Sequence, residues 1–320
     1  MKAAMHDVYG DASVVTIRDA AVPEPAAGEV LIRVRAAGLD RGVWHLLTGT
    51  PLMARLALGL RTPRQKMLGL DVAGVVERVG AGVTEFAPGD RVFGGGTGTF
   101  AEFAIAKQKA LAPMPAGLSF EQAAASPVSG LTALQALTKA GPVAGKSVLI
   151  IGAGSGVGSF AIQLAKAQGA IVTAVVSPGK IDFVKRLGAD HVIDYTVDDL
   201  GDGSHDVILD IAGIRPIDEL RGVLAPRGTV VFVGGEGGGP MLNGMQRQIG
   251  AGLFGPRGQK FVTLMGTTNT ADLLTLTQYL EAGTVIPAVE QRYPLEQAAE
   301  AIRYIGQGHA TGKTVITVNE

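Results

Sequence analysis

The segment IIGAGSGVGSFAIQLAKAQGA spans residues 150–170, and the prediction of the fold starts from it. Glycine occupies every second position from Gly152 to Gly158, directly after an apolar run and directly before residues whose apolar positions recur with helical spacing. This pattern predicts a strand, a glycine-rich turn and a helix. Such a turn lets backbone approach a pyrophosphate, and the helix N-terminus adds unpaired N–H groups and partial positive charge. A tight connection that binds nothing is the alternative.

The sequence around this turn favours a nucleotide site. Apolar runs recur at 148–151, 172–176, 191–193, 207–211, 230–233 and 261–265, and helical stretches separate several of them. Near-continuous apolar strands alternating with helices predict a parallel, doubly wound α/β sheet. The strict G-x-G-x-x-G spacing is absent, and the nearest frame begins at Ala153 and includes Gly156 and Gly158. The predicted dinucleotide-binding turn consists of Gly152, Ala153, Gly154, Ser155, Gly156, Val157 and Gly158.

The N-terminal part of the chain predicts a small β-barrel. Residues 29–36 alternate between apolar and polar, and residues 69–94 contain two strand patterns on either side of Gly80-Ala81-Gly82, followed by a turn at Pro88-Gly89-Asp90.

A helical region follows, with Ser119 as N-cap, Gln122 at the capping-box position and Pro127 dividing the region into two helices. The C-terminal tail again has strand, helix and strand patterns. We expect it to rejoin the N-terminal part, with domains at 1–122 plus 285–320 and at 123–284 and a cleft between them.

Composition agrees with this class of fold. The 320 residues include 46 glycines, and 47% are apolar, which is typical of an α/β protein rich in tight turns. The formal net charge of −1 argues against nucleic acid as a partner. The chain has no cysteine, which excludes disulfides, a thiol nucleophile and cysteine-bound zinc. No signal-peptide pattern and no apolar run near the ~18 residues of a membrane span is present, so a soluble cytoplasmic protein is expected.

Several further motifs occur in a fixed order around the glycine turn. They are Gly69-x-Asp71-x-x-Gly74-x-Val76, PVSGLTALQAL at 127–137, LGADHVIDY at 187–195 and GHATGK at 308–313. Together with the turn they resemble the zinc-free quinone oxidoreductase (zeta-crystallin-like) branch of the medium-chain dehydrogenases/reductases, over essentially the whole chain. The resemblance implies a GroES-like β-barrel catalytic domain, a Rossmann domain that binds NADPH, an interdomain active site and a homodimer.

The branches of that family differ in whether they bind zinc. Zinc-dependent members carry Cys, His and Glu ligands with a Gly-His-Glu motif, whereas this chain has Gly69-Leu70-Asp71 and no cysteine. A site built from His6, His45 and a carboxylate is the alternative, but the five histidines are scattered without i, i+4 spacing. Without a Lewis acid, oxidation of an unactivated alcohol is difficult, because nothing stabilises the alkoxide.

An acceptor that is already polarised needs only hydrogen-bond donors and a proton. We therefore predict NADPH-dependent hydride transfer to a quinone or an α,β-unsaturated carbonyl. The alternatives are a zinc-free alcohol/aldehyde oxidoreductase and a non-catalytic NADPH-binding sensor or interaction protein.

Candidate catalytic residues are few. Asp40 stands where the family often has an asparagine that faces the substrate, and its alternative role is a turn or helix cap. His45 could protonate an enolate, or could be an ordinary surface or packed histidine. Thr132 occupies a position where the family approaches the nicotinamide, and a packed helix threonine is the alternative. A tyrosine common in the family after this first helix is missing, which leaves solvent as another proton source, and Asp71 is expected to be structural.

The cofactor prediction concerns the 2′-position of the adenosine ribose. Ser177 follows Gly158 by nineteen residues, where NAD-selective folds carry an acid, and no acid lies between Ile171 and Ile181. Ser177 and Lys180 could bind a 2′-phosphate instead, and the resemblance places Tyr195 there too.

Gly234 and Gly235 are predicted to approach the cofactor from the end of the fifth sheet strand, and Lys313 is assigned to it by resemblance. The loop at 236–259 could be a mobile substrate wall, a subunit contact or core.

Overall fold

The computed structural model describes residues 1–201, 203–235, 241, 244 and 258–318. The chain divides into two compact units. The first comprises Met1–Leu131, Thr267–Gly283 and Pro287–Glu320, and the second comprises Thr132–Gly266 and Thr284–Ile286. The predicted role of the loop at 236–259 lies outside the described residues, apart from four positions of that loop.

The helices and strands are numbered here in chain order. Up to residue 140 they are β1 (Lys2–Met5), β2 (Thr16–Asp19), β3 (Glu29–Leu39), α1 (Arg41–Thr48), α2 (Arg55–Leu58), β4 (Asp71–Val79), β5 (Arg91–Gly95), β6 (Phe103–Lys107), β7 (Leu111–Pro113), α3 (Phe120–Ala124) and α4 (Pro127–Ala140). After it they are β8 (Ser147–Ile151), α5 (Gly156–Ala167), β9 (Ile171–Val176), α6 (Ile181–Arg186), β10 (His191–Asp194), β11 (His205–Asp210), α7 (Ile217–Gly222), β12 (Leu224–Phe232), β13 (Lys260–Thr263), α8 (Thr270–Glu281), β14 (Val289–Pro294), α9 (Ala298–Gly306) and β15 (Lys313–Thr317).

The first unit is built on a mainly antiparallel sheet around the long strand β3. The strand order is β14-β15-β3-β4-β5-β7, and β6 also pairs with β3. Strand β15 lies antiparallel to β3, with Thr314 opposite Leu39 and Thr317 opposite Ala36. The prediction that the C-terminal tail rejoins the N-terminal part is therefore confirmed.

The strand predicted directly after Gly82 is wrong. Residues 83–87 form no strand, and β5 begins only at Arg91. The turn pairs with β4 by itself, because Val76 N–H donates to the Asp90 carbonyl and Gly89 N–H donates to the Val76 carbonyl. Phe86 is nevertheless buried in the hydrophobic core, so the apolar pattern here reflects anchoring of a loop.

The helical region that follows agrees with its prediction. Ser119 and Gln122 form a capping box, since the Gln122 N–H donates to Ser119 Oγ and the Ser119 N–H donates to Gln122 Oε1. Helix α4 begins at Pro127, where a missing N–H costs nothing, so the region divides into two helices there. This division places Val128 and Ser129 in the first turn of a new helix, where backbone N–H groups need partners from outside the helix.

The second unit contains a six-stranded parallel sheet in the order β10-β9-β8-β11-β12-β13. Counted within this unit the order is 3-2-1-4-5-6, the doubly wound order of Rossmann domains, so the predicted fold class is confirmed. Apolar residues of the strands, such as Leu149, Ile208 and Phe232, are buried in its core. The strand order reverses between β8 and β11, and the glycine turn follows β8 at that point. Among the described residues, none of the helices has the length and apolar character required to cross a bilayer.

Candidate functional site

The turn after β8 has a backbone path that requires glycine. Gly152 has a φ of +85°, and a Cβ placed on it would lie 3.0 Å from the Ala212 backbone nitrogen at the end of β11. A Cβ on Gly158 would lie 2.4 Å from the Ala153 carbonyl oxygen. Helix α5 therefore packs so closely on the turn that a side chain at either position would open it.

The Ser155 side chain closes this turn. Its hydroxyl donates to the Gly152 carbonyl oxygen at 2.7 Å and accepts the Gly158 N–H at 3.1 Å. The hydroxyl is thus used within the protein. The N–H groups of Gly156 and Val157 at the start of α5 have no intrahelical acceptor, as in any helix, and they carry the positive end of the helix dipole. These groups suit a pyrophosphate.

The residues predicted for the 2′-phosphate follow neighbouring strand ends. Val176 at the end of β9 lies opposite Asp194 at the end of β10, so the next residues, Ser177 and Tyr195, continue side by side. The Tyr195 side chain is exposed, and Ser177 makes no side-chain capping bond. Parallel strands end at one sheet edge, which places this pair at the edge that carries the glycine turn.

Lys180 lies against the glycine turn. A Cβ on Gly154 would lie 2.5 Å from Lys180 Cδ, so the aliphatic stem of the lysine covers that glycine. Burial lowers the pKa of the Lys180 ammonium from its ordinary value. The structure therefore brings together the glycine turn and the cation predicted for the cofactor.

Gly234 is also at this sheet edge, directly beyond β12. A Cβ on it would lie 2.0 Å from the Ile211 carbonyl oxygen. The neighbouring Asp210 is fully buried at the end of β11, and its Oδ1 accepts the Gly213 N–H at 2.9 Å. Asp210 was not predicted as a site residue. The signal that could have found it is an acid at the end of an apolar strand, two residues before Ala212-Gly213, where it can accept a backbone N–H of the turn. Gly235 follows as the next residue at this edge.

The predicted catalytic residues lie on two helices. Thr132 is half-buried in α4, and a Cβ on Gly266 would lie 3.7 Å from its Oγ1. Asp40 is at the N-cap position of α1, whereas His45 lies in the last turn of the same helix. The structure therefore separates Asp40 and His45 along α1.

Asp40 is buried in an ion pair. Its Oδ1 accepts a hydrogen bond from the ammonium of Lys313 and a second one, of 2.6 Å, from the Ser129 hydroxyl. Its side chain makes no capping bond, so the helix-cap alternative is wrong. Burial opposes ionisation of Asp40, but the Lys313 ammonium holds the pKa of its carboxyl below the ordinary value.

The position of Lys313 does not support the predicted cofactor contact. Only 1% of the residue is exposed, and its ammonium also donates to Ser129 Oγ at 3.1 Å. A buried ammonium that is already paired with a carboxylate cannot contact a phosphate. Ser129 is the third member of this network. It belongs to the motif PVSGLTALQAL but was not predicted as a site residue.

Asp71 lies beside this network and is fully buried. Its two carboxyl oxygens are 3.1 and 3.2 Å from the Val128 N–H in the first turn of α4, the backbone pairing expected of a structural residue. Burial raises the pKa of the Asp71 carboxyl well above its ordinary value, and the Asp40 carboxylate raises it further. Gly38 is required here, because a Cβ on it would lie 2.9 Å from Asp71 Cβ and 2.3 Å from the Ala124 carbonyl oxygen.

The donor set does not resemble a zinc site. In the part of the chain that the structure describes, three or more His, Asp or Glu side chains nowhere gather as metal ligands. Both ring nitrogens of the buried His6 lie 3.2 Å from carbonyl oxygens, those of Val8 and Gln65. The alternative of His6 as a zinc ligand therefore finds no support in its contacts.

Comparison with known proteins relates the whole chain to oxidoreductases. Residues 26–116 match the family described as alcohol dehydrogenase GroES-like domain, and residues 187–316 match the one described as zinc-binding dehydrogenase. A 2-methylene-furan-3-one reductase of Solanum lycopersicum is 35% identical, over 99% of this chain and 79% of the relative. An NADPH-dependent alkenal/one oxidoreductase of Arabidopsis thaliana, a chloroplastic protein, is 34% identical over the same shares. The solved structure of a quinone oxidoreductase from Coxiella burnetii is 29% identical with a TM-score of 0.85, covering 100% of this chain and 99% of that one.

The glycine turn generates a direct prediction for nucleotide binding. Gly158→Ala pushes a methyl group against the Ala153 carbonyl, so the turn must open and displace the N–H groups that face the phosphate. Loss of one hydrogen bond to a charged group costs roughly 1.5–3 kcal/mol, or about 10- to 150-fold in affinity. We expect the Kd for NADPH, measured by titration calorimetry, to rise by that factor.

The matched control is Gly222→Ala, because a Cβ there has no heavy atom within 4 Å and the residue ends α7, outside the predicted nucleotide site. It should bind NADPH as the wild type does. Equal Kd values for the two variants would contradict this account of the turn.

Proposed function

We propose that this chain, which belongs to the quinone oxidoreductase branch of the medium-chain dehydrogenase/reductase family, reduces quinones or α,β-unsaturated carbonyl compounds with NADPH. The observation that carries the proposal is the sheet edge of the second unit. There the glycine turn, whose Gly152 and Gly158 leave no room for a Cβ, lies beside Lys180, and Ser177 and Tyr195 continue neighbouring strands. The names of the relatives support the substrate class.

The residues at this edge fit the phosphates of NADPH. The N–H groups at the start of α5 would hold the pyrophosphate, which the glycines of the turn would allow to approach. Ser177 would donate a hydrogen bond to the 2′-phosphate, Lys180 would supply a positive charge, and Tyr195 would be the third residue at that phosphate. Gly234 and Gly235 allow the cofactor to approach the end of β12. When bound, NADPH supplies a hydride from C4 of its nicotinamide ring.

The rest of the chemistry falls to hydrogen-bond donors. A polarised acceptor gains negative charge on its conjugated oxygen, and donors placed at that oxygen stabilise it. Thr132 is the donor that we assign to the nicotinamide side of the site. Asp40 is held as a carboxylate by the Lys313 ammonium and the Ser129 hydroxyl, so it acts as a fixed charge and not as a proton donor. His45 and solvent are the two proton sources that the sequence leaves open.

We propose that the reaction uses no zinc. The chain has no cysteine, and the position of the family's Gly-His-Glu motif reads Gly69-Leu70-Asp71. Asp71 accepts the Val128 N–H and contacts Asp40, so its carboxyl is already occupied. This place therefore has no cysteine, and the one carboxyl group of its Gly-Leu-Asp segment is bound within the protein.

Turnover of matched substrates tests the proposed function. An enone and the corresponding saturated ketone are compared by the oxidation of NADPH, with protein purified without added metal. We expect the enone to be reduced, the ketone to be inert, and a zinc chelator to leave the rate unchanged. Reduction of the ketone would favour the alcohol/aldehyde alternative. Loss of activity on addition of the chelator would overturn the zinc-free mechanism. No turnover of either substrate would favour a non-catalytic nucleotide-binding protein.

The cofactor preference is tested at Lys180. An ion pair and two hydrogen bonds at a partly exposed site favour NADPH over NADH by roughly 2–4 kcal/mol, or about 30- to 1,000-fold. Lys180→Glu should remove most of this preference by raising the Michaelis constant for NADPH while that for NADH stays nearly constant.

The control for this charge change is Lys185→Glu, since Lys185 is exposed on α6. It should leave both constants unchanged. Equal catalytic efficiency of the wild type with the two cofactors would refute the assignment of Ser177, Lys180 and Tyr195.

We also propose a homodimer, in keeping with the family. Strand β13 is at the edge of the six-stranded sheet, and an uncovered edge strand is prone to pair with another chain. Light scattering at micromolar concentration should give twice the chain mass, whereas a monomeric mass would refute the dimer. A cytoplasmic location stays a prediction from the sequence.

A further inference from the structure

Two carboxyl groups and one ammonium are buried together in the first unit. Exposure is 0% for Asp71, 8% for Asp40 and 1% for Lys313. The groups come from separate elements: Asp71 begins β4, Asp40 follows β3 and Lys313 begins β15. Helix α4 adds the neutral Ser129. These are the titratable groups that face one another here.

The charges do not balance if both acids are ionised. One ammonium compensates one carboxylate, and a second buried carboxylate without a cation is strongly unfavourable. Lys313 binds Asp40 and not Asp71, because its ammonium donates to Asp40 Oδ1 and to Ser129 Oγ. The uncompensated group is therefore Asp71.

The hydrogen bonds lead to the same conclusion. Asp40 Oδ1 accepts hydrogen bonds from the Lys313 ammonium and the Ser129 hydroxyl. Asp40 Oδ2 is buried without a protein N–H or hydroxyl donor. The Asp71 carboxyl lies beside this network, because it accepts the N–H of Val128, the residue before Ser129. Two ionised carboxylates would repel each other and would leave Asp40 Oδ2 without a donor, since neither has a hydrogen to donate. A proton on one of them supplies that donor.

We propose that Asp40 and Asp71 hold one proton between them, with Asp71 as the carboxylic acid, and that this pair positions the first turn of α4. Asp71 donates its O–H to Asp40 Oδ2 and accepts the Val128 N–H, which satisfies both groups. Helix α4 carries Thr132 one turn after Val128, so Asp71 acts through α4 as a positioning residue. The proton itself is a property of the first unit alone, whereas the positioning role rests on the proposed function.

Infrared spectroscopy tests the proton directly. Protein labelled with ¹³C at the aspartate carboxyl carbons should show, at neutral pH, the carbonyl stretch of one protonated acid per chain. Asp71→Asn and Asp40→Asn should each abolish this band, because in either variant an amide N–H replaces the shared proton. Glu85→Gln is the control, since Glu85 is exposed in the same unit, and it should leave the band unchanged.

A wild-type spectrum without the band, or a band that survives in Asp71→Asn, would overturn the proposal. The wild-type measurement needs no variant to fold. It also needs no activity, so a protein that reduces no enone would refute the proposed function and leave the shared proton to be decided by the spectrum.

Kinetics tests the positioning role. Asp71→Ala leaves the Val128 N–H and Asp40 Oδ2 without partners, and displacement of a positioned group lowers rates by roughly 10- to 100-fold. We expect kcat for the enone to fall by that factor while the Kd for NADPH changes by less than about twofold. Asp71→Asn should retain most of the wild-type kcat, because an amide can accept the Val128 N–H and donate a hydrogen bond to Asp40. Wild-type kcat in Asp71→Ala, or no rescue by asparagine, would overturn the positioning role.

Discussion

The ion pair of Lys313 and Asp40 forms only when the C-terminal strand β15 pairs with β3 in the first unit. The two residues are 273 positions apart and meet because β15 pairs antiparallel with β3, with Thr314 opposite Leu39. A buried charge pair is favourable only when its geometry is good and its remaining hydrogen-bonding groups are satisfied. Here Ser129 of α4 bonds to both members of the pair, and Asp71 of β4 accepts the Val128 N–H of the same helix turn, so α4 and β4 are held to the same point. A shift of any of these four elements would leave a charge or a donor unpaired in the core.

The second unit depends on a different constraint, the close approach of backbone to backbone. Gly152, Gly158 and Gly234 lie where a Cβ would meet a backbone atom at 3.0 Å or less. Gly152 and Gly234 follow the carboxyl ends of β8 and β12, and Gly158 is in the first turn of α5, so all three are at the sheet edge where ligands bind in doubly wound folds. The absence of side chains that permits tight packing is also what permits a phosphate to approach. One feature therefore serves both the fold and the nucleotide.

The two units divide the chemistry between them. The second presents N–H groups, a cation and hydroxyls, which suit the phosphates of a nucleotide. In the first, the buried Lys313, Asp40 and Ser129 bond to one another and Asp71 accepts a backbone N–H, unlike the open ligand position of a catalytic zinc site. A reaction in which the cofactor provides the hydride and the substrate disperses the charge is the chemistry that such residues can support. This agrees with the enone and quinone reductases that the chain resembles.

Much of this could be predicted because it depends on residues close together in sequence. The glycine spacing, the strand–helix alternation, the capping box at Ser119 and the start of α4 at Pro127 each involve only a few neighbouring positions. The segment at 83–87 could not be predicted, since its apolar residues anchor a loop and the turn at 88–90 pairs with β4 in their place. The role of Lys313 could not be predicted either. The sequence shows only a lysine at the start of an apolar strand, and its partner depends on the register of β15 against β3. The shared proton between Asp40 and Asp71 follows only from that register, because a pair of carboxyl groups needs a proton when folding brings both beside a single ammonium and removes the water that would otherwise solvate them.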